Sequence, residues 1–351
     1  MEPMELALSL AKKANPHPNP RVGAVIVKNK KIIGRGHHKK AGQPHAEAEA
    51  ISDAEKNGTD VAGATLYVSL EPCSHNSKRT PPCTELIIEK KIKKVVYGMK
   101  DPNPLVNSRK VLQNAGIVVT GPVAEEKARA INRKYLENIS KKPFVAVKMA
   151  MSADGKTATK TGDSKWISSD KSRGFVAKLR AEYGAVMVGA GTIIADNPRL
   201  TARVSGAKDP IRIIVDGKLK IPLNSRVVRS GTIIATTKQA SSKKIKAIKA
   251  GGADVFACGK EKVDLKMLLH SLSAMGIKKI LIEGGSELNA DALESKIIDK
   301  FYIFIAPKII GGTAAPGVIG GSGISSMKKA RKVSNMRVKM IGTDILVEFE
   351  V

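Results

Sequence analysis

His45, Glu47, Cys73 and Cys83 are the residues of this chain whose types and spacing could do chemistry together. One histidine and two cysteines can hold Zn²⁺ by three ligands, leaving its fourth position to a water whose pKa then falls toward ~7. The hydroxide so formed can attack an amidine-like ring carbon that bears an exocyclic amine. A carboxylate outside the ligand set must then carry a proton to the departing ammonia. Glu47, two residues beyond the histidine in His45-Ala46-Glu47, is placed for that work. His75, two residues after Cys73, could be a further ligand or a substrate or loop contact.

These side chains need elements to converge on one point. The pattern predicts a helix from His45 to about Asn57, a strand over 65–69 leading into Glu71-Pro72-Cys73, and a helix from Cys83 to about Lys90. Two helix starts side by side would stabilise thiolates through aligned N–H groups and partial positive charge. Taken singly, His45 reads as a surface histidine and each cysteine as a small core residue. Taken together, at the ends of the right elements, they read as a metal site. Zinc-dependent nucleobase deaminases carry H-x-E with P-C-x-x-C. Here nine residues, not two, separate Cys73 from Cys83.

Around the motif, helices are predicted at 4–14, 108–115 and 125–140, and strands at 22–27, 31–36, 93–98 and 117–120. That alternation makes residues 1–142 a three-layer α/β/α domain with a central sheet. Lys141-Lys142-Pro143 reads as a linker. In a second alternating series, strands fall at 144–151, 185–189, 211–216, 232–236, 279–283 and 300–306. Helices fall at 170–183, 243–250, 264–275 and 287–296. A glycine-rich loop over 311–323 and a closing hairpin of 337–340 with 345–350 complete residues 143–351.

The chain has 351 residues, enough for two domains that each bury a core. No apolar run approaches the ~18 residues of a membrane span, and Met1-Glu2-Pro3-Met4-Glu5 is acidic, unlike the basic start of a signal peptide. Three cysteines make no disulfide framework; two as ligands, with Cys258 in the core, suit a reducing cytoplasm. The net charge is +28, of which +11 falls in residues 1–142, so the excess is spread over both halves. Aromatic residues are 3% of the chain, poor provision for stacking bases. General surface basicity, helpful to anionic small substrates, is favoured over nucleic-acid binding, and no membrane partner is expected.

Asn19-Pro20-Arg21-Val22-Gly23-Ala24-Val25-Ile26-Val27, Gly34-Arg35-Gly36-His37 and Gly42-Gln43-Pro44-His45-Ala46-Glu47 resemble the deaminase half of the bifunctional riboflavin-biosynthesis deaminase/reductase family. So do Glu71-Pro72-Cys73-Ser74-His75, Arg79-Thr80-Pro81-Pro82-Cys83 and Asp101-Pro102-Asn103-Pro104. The long cysteine spacing belongs to that family. The resemblance implies a cytidine-deaminase-like fold, Zn²⁺ on His45, Cys73 and Cys83, Glu47 as proton shuttle, and substrate contacts from Asn19 and His37. Two loops depart from the family pattern, at Asn76-Ser77-Lys78 and at Asn107-Ser108-Arg109-Lys110. They leave the ligands untouched and put the shape of the substrate mouth in question.

Residues 144–351 contain no metal motif. Ser152-Ala153-Asp154-Gly155, Gly189-Ala190-Gly191-Thr192 and Glu283-Gly284-Gly285-Ser286 each end a predicted strand in a loop. Three such loops on one sheet suggest a ligand cleft at its carboxyl ends, although a glycine pair alone is equally a plain tight turn. This half resembles the family's reductase, a dihydrofolate-reductase-like α/β fold that uses NADPH. The resemblance implies cofactor contacts from Ala150, Trp166, Thr192, Asp196, Gly285, Ser286, Glu287, Leu288 and Asn289, with Asp196 also catalytic. It implies substrate contacts from Ser164, Arg180, Leu200, Arg203 and Glu283, with Arg180 and Arg203 pairing a phosphate. Plainer readings stand beside these: Trp166 as a core aromatic, Arg180 as a solvated helix residue, Asp196 as a cap. Lys148 faces the same cleft by position.

The implied activity has two steps. A phosphoribosylaminopyrimidine would lose an amine by hydrolysis, and its ribosyl group would then be reduced to ribityl by NADPH. Association into homo-oligomers through the reductase half is implied as well. The alternatives are a deaminase of tRNA or another nucleobase with an accessory domain, and an inactive RNA-binding module. Short cysteine spacing would support the first, and an intact Glu47 argues against the second.

Overall fold

The computed structural model describes residues 2–74, 82–103 and 106–351. They form two compact units, Met1–Lys142 with His270–Gly276, and Pro143–Leu269 with Ile277–Val351.

In order, the first unit holds α1 (Pro3–Lys13), β1 (Gly23–Lys28), β2 (Lys31–His37), α2 (Ala46–Lys56), β3 (Thr65–Leu70) and α3 (Cys83–Glu89). Then come β4 (Lys94–Met99), α4 (Ser108–Asn114), β5 (Val118–Thr120), α5 (Glu125–Ile131) and α6 (Arg133–Ser140). The sheet order is β2-β1-β3-β4-β5, with β1 antiparallel to β2 and β3, and β3, β4 and β5 parallel. In α1, Met4, Ala7, Leu8 and Ala11 repeat at helical spacing and are buried, Pro3 opens the helix and Lys12 and Lys13 suit its carboxyl end.

Glycines set the layers. In the β1–β2 ladder, Gly36 faces Ala24 and Gly34 faces Ile26, while Gly23 points to the opposite face. A Cβ on Gly34 or Gly36 would collide with the Ala50 or Ala46 carbonyl of α2, and one on Gly23 with the Ala7 carbonyl of α1. Helices α1 and α2 therefore lie against opposite faces, which is the three-layer arrangement expected. The predicted helix over 125–140 is instead two. Asn132 breaks it at φ −101° and ψ 18°, and its side chain bonds both the Arg21 N–H (2.8 Å) and the Arg21 carbonyl (3.0 Å).

The second unit holds β6 (Phe144–Ser152), α7 (Asp170–Tyr183), β7 (Ala185–Gly189), α8 (Ala190–Asp196), β8 (Ile211–Val215), β9 (Thr232–Thr236) and α9 (Ser242–Ala250). Then come β10 (Asp254–Ala257), α10 (Leu265–Ala274, of which 270–274 count with the first unit), β11 (Lys279–Ile282), α11 (Ser286–Glu294), β12 (Lys300–Ala306), β13 (Ser334–Ile341) and β14 (Asp344–Glu350). Its sheet runs β10-β9-β8-β7-β11-β6-β12-β14-β13. The strands from β10 to β12 are parallel, and β14 and β13 add an antiparallel hairpin. Strand β7 is buried along nearly its whole length, as a strand covered on both faces must be. Helix α7 starts on the Ser169 side chain, which accepts the Ser172 N–H, and ends on Gly184 at φ 68°.

Two elements differ from expectation. Gly189-Ala190-Gly191-Thr192 was expected as a loop, but Gly189 caps α8, which ends at Asn197 in a left-handed turn of φ 39°. Gly191 and the β-branched Thr192, Ile193 and Ile194 are poor helix formers, and tertiary packing of the buried Ile193 overrides them. Strand β10, only Asp254–Ala257, is too short to show a period and forms because it pairs with β9.

Candidate active sites

His45 is the cap residue before α2, Cys83 the first residue of α3, and Cys73 stands just past β3. Their ligand atoms all lie within 4.8 Å of one another. The His45 Nδ1 is 3.1 Å from the Cys83 Sγ and 3.5 Å from the Cys73 Sγ, and the Cys83 N–H points at the Cys73 Sγ at 3.3 Å. A tetrahedral zinc site with ordinary bond lengths needs N···S and S···S separations of about 3.6–3.8 Å; the N···S separations of 3.1 and 3.5 Å fall just short of that, and all three atoms lie within 4.8 Å. The donor set and its shape fit Zn²⁺. Both cysteines are buried, which leaves the ligand side dry.

Glu47 lies one residue into α2 and is 3% exposed. Burial pushes its carboxyl above the usual carboxylate range; the neighbouring His45 ring opposes this, the Cys73 thiol adds to it, and a hydrogen bond from Cys83 opposes it again. A carboxyl held high can keep a proton for part of a cycle, as a shuttle must. The bare glycine surface of β2 lets α2 lie close to it, with His45 and Glu47 at the helix start beside the cysteines.

Of the expected substrate contacts, His37 ends β2 and is half-buried. It is its neighbour His38, not singled out from the sequence, that turns inward. His38 is 3% exposed, its Nε2 is 3.0 Å from the Asn19 Nδ2 and its Nδ1 3.0 Å from the Pro44 carbonyl. Its ring meets that of His45 edge-on at 5.1 Å. Asn19 is thus joined to the metal centre through His38. Strand alternation gives the signal: an inward Gly36 puts His38, two residues on, on the same side. His75, Asn76, Ser77 and Lys78, with Arg79, Thr80 and Pro81, lie outside the described residues, as does Pro104.

In the second unit, β7, β11 and β6 are neighbours in the sheet, so their carboxyl ends form one edge. Gly284 and Gly285, at φ 121° and 83°, open α11, and the Thr192 hydroxyl lies beside the space a Cβ on either would take. That bare cradle at a helix start suits a phosphate of a dinucleotide. Ala150 stands on β6, and Ser286 and Glu287 begin α11. Leu288 and Asn289 are buried; the Asn289 Nδ2 donates to the Val318 carbonyl at 2.9 Å, while its Oδ1 has no partner among the described residues. An orphaned buried oxygen beside the cradle also suits a bound group.

Trp166 is 58% exposed, against its reading as a core aromatic, and the Arg173 guanidinium lies over its ring at 4.6 Å. Asp196 ends α8 and pairs with Lys165 at 3.2 Å. Ser164 is half-buried, and Arg203 is exposed with a left-handed backbone at φ 56°. Two expected contacts are disposed differently. The Leu200 side chain packs into the core with Val186, Ile193 and Ile214, and the residue is 3% exposed. The Arg180 fork is taken up by Glu283, with Nε–Oε1 at 2.5 Å and Nη2–Oε2 at 2.8 Å, and its Nη1 donates to the Thr201 carbonyl. A carboxylate 5% exposed beside it accounts for that, because a buried charge seeks its opposite. Lys148 completes this cluster: burial pushes its pKa below the usual lysine value, Glu283 opposes the shift and Arg180 adds to it. Asp154 bonds the Ser152 hydroxyl and the Ile310 and Gly311 N–H groups, which hold its carboxyl at about 2. Cys258 is a core thiol, pushed up to about 12 by burial and then by Asp264.

Comparison with known proteins agrees with this division. Residues 1–99 match the cytidine and deoxycytidylate deaminase zinc-binding region, and residues 143–347 match the RibD C-terminal domain. The riboflavin biosynthesis protein RibD of Actinobacillus pleuropneumoniae is 43% identical over 99% of this chain and 94% of its own length. The chain belongs to the RibD family. The RibD of Aquifex aeolicus is likewise 43% identical, over 99% of this chain and 97% of its own. Among solved structures, the diaminohydroxyphosphoribosylaminopyrimidine deaminase/5-amino-6-(5-phosphoribosylamino)uracil reductase of Thermotoga maritima has a TM-score of 0.50 at 37% identity, covering 99% of this chain and 97% of that one. Acinetobacter baumannii RibD has a TM-score of 0.54 at 33% identity, with the same coverage. As in other RibD proteins, the fold is α/β, with a cytidine-deaminase-like half and a reductase half. The chain is an enzyme acting on small molecules, and among its described residues no helix is long and apolar enough to cross a membrane.

Proposed function

We propose that residues 1–142 deaminate 2,5-diamino-6-(5-phosphoribosylamino)pyrimidin-4-one and that residues 143–351 reduce the ribosyl group of 5-amino-6-(5-phosphoribosylamino)uracil to ribityl. The observation that carries the first activity is the convergence of His45, Cys73 and Cys83 beside the buried Glu47. Zn²⁺ held by those three residues would supply a water made nucleophilic near neutral pH. Glu47 takes that water's proton and delivers it to the leaving amine, its raised pKa favouring the protonated state that delivery needs. Asn19, fixed by His38, orients the substrate ring, with His37 at the edge of the same site.

For the second step, NADPH would supply the hydride. The Gly284–Gly285 turn with Thr192 and residues 286–289 would hold its phosphates, and Ala150, Trp166 and Asp196 would be further contacts. Asp196 is also assigned to catalysis. Ser164, Leu200, Arg203 and Glu283 are assigned to the substrate. Arg203, exposed and without a salt-bridge partner among the described residues, is the group for the phosphate, while Arg180 orients Glu283. Lys148 places a cation beside the imine formed on ring opening of the ribosylamine.

The substrates are small, and the spread of basic residues favours no nucleic-acid or membrane role. We place the protein in the cytoplasm, where its thiols stay reduced. Association through the reductase half is supported by β13, an edge strand exposing Met336, Val338 and Met340 along one side. Val338→Lys should then yield a smaller particle in light scattering, and an unchanged mass would remove that part. The main test supplies purified protein with the diaminopyrimidine nucleotide and follows ammonia release, then NADPH oxidation. No turnover of either kind would overturn the assignment.

A further inference from the structure

Glu71, two residues before Cys73, is 4% exposed, and among the described residues it has no salt-bridge partner. Its carboxylate is held instead by three donors from one stretch of chain. Oε2 accepts the Asp101 N–H at 3.3 Å; Oε1 accepts the Ser108 N–H at 3.2 Å and the Ser108 hydroxyl at 2.8 Å. Its own N–H donates to the Met99 carbonyl at 2.9 Å. One carboxylate thus grips both ends of the segment 101–108. The residue next along, past the ligand, repeats the grip: the Ser74 hydroxyl accepts the Asn107 N–H at 2.7 Å. Asp101 at one end, and Asn107 and Ser108 at the other, are therefore stitched to residues 71 and 74 on both sides of Cys73.

The stitching also replaces an absent cap. Asn107, at the start of α4, makes no side-chain capping bond, and Glu71 takes the first N–H of that helix from outside. Asp101 continues the network by accepting the Asn103 N–H at 2.9 Å and the Tyr135 hydroxyl at 3.1 Å. Burying a carboxylate costs several kcal/mol unless donors surround it, and charge-assisted bonds are about twice as strong as neutral ones. Such a group is suited to fixing geometry.

We infer that Glu71 is a positioning residue for the deamination, setting the turn at 101–103 as a wall of the site beside Cys73. It rests on the deaminase reading of the His45–Cys73–Cys83 centre. Glu71→Gln turns an amide donor toward an N–H donor and frees one end of the segment. The expected result is a KM for the diaminopyrimidine nucleotide raised about ten-fold, with kcat within about three-fold and zinc per chain unchanged. Ser108→Ala, which removes one of the three bonds, should raise KM in the same direction by less. If E71Q is recovered unfolded, S108A decides alone. Unaltered KM in a folded variant, or a kcat that falls together with loss of zinc, would overturn the inference. A wild-type protein that binds zinc and releases no ammonia would instead overturn the deaminase reading.

Discussion

The two halves of this enzyme build their sites by opposite means. In the first, four side chains from two helix starts and one strand end meet at a point, and their identities dictate the chemistry. In the second, three neighbouring strand ends and a bare glycine turn form an edge whose offer to a ligand includes exposed backbone. A metal demands particular atoms, so residue types at fixed spacing give it away. A dinucleotide brings its own reactivity and asks for shape and N–H groups, which many sequences can provide.

That contrast can be broken by experiment. Stripping zinc with a chelator, or Cys83→Ser, should reduce ammonia release to background and leave NADPH oxidation of supplied deaminated intermediate intact. Metal content and the two assays check this; joint loss would mean the halves are not separate. Glu47→Gln should slow ammonia release about a thousand-fold with zinc retained. In the other half, Glu283→Ala strands Arg180 in a largely buried position. It should cost the reductase unit about 3–5 kcal/mol in denaturant unfolding and abolish reduction. Gly36→Ala should lower the stability of the deaminase unit by about 1–3 kcal/mol, because α2 must back away from β2. Ammonia release should fall while reduction holds.

The smallest effect is one of pH. Lys148 loses its proton below the usual lysine value because burial disfavours its charge. If reduction uses the charged form, kcat/KM for NADPH oxidation should decline as pH rises through that lowered value. Lys148→Arg should move the decline upward. The folded chain binds this proton more weakly than the unfolded chain. The group therefore destabilises the unit at low pH, and that penalty disappears as pH rises through the ordinary lysine range.

The zinc centre was legible because ligand chemistry restricts residue type and because His45 and Cys83 fall where the apolar period begins. His38 was not: two adjacent histidines look alike until strand alternation and a glycine decide which one faces inward. Most strands and helices followed from periodicity. Helix α8 escaped because glycine and the β-branched threonine and isoleucines carry little helical preference, and its burial of Ile193 is a tertiary fact. The Asn132 break escaped because its cause is the backbone of Arg21, far away in sequence. The reductase residues came from resemblance alone. There the surprise was Arg180, whose expected phosphate partner gives way to a carboxylate already beside it.

Strand β6 has a further consequence. It opens the second unit yet lies inside the sheet, pairing Phe144 with Lys279 on one side and Ala146 with Lys300 on the other. The five-stranded sheet needs nothing beyond residue 120. During synthesis the deaminase sheet can therefore close early, while β6 must wait for more than a hundred residues to emerge before its neighbours exist. Closing so long a loop is entropically costly and slow. Folding of the reductase half is thus the stage at which the newborn chain depends most on protection from aggregation.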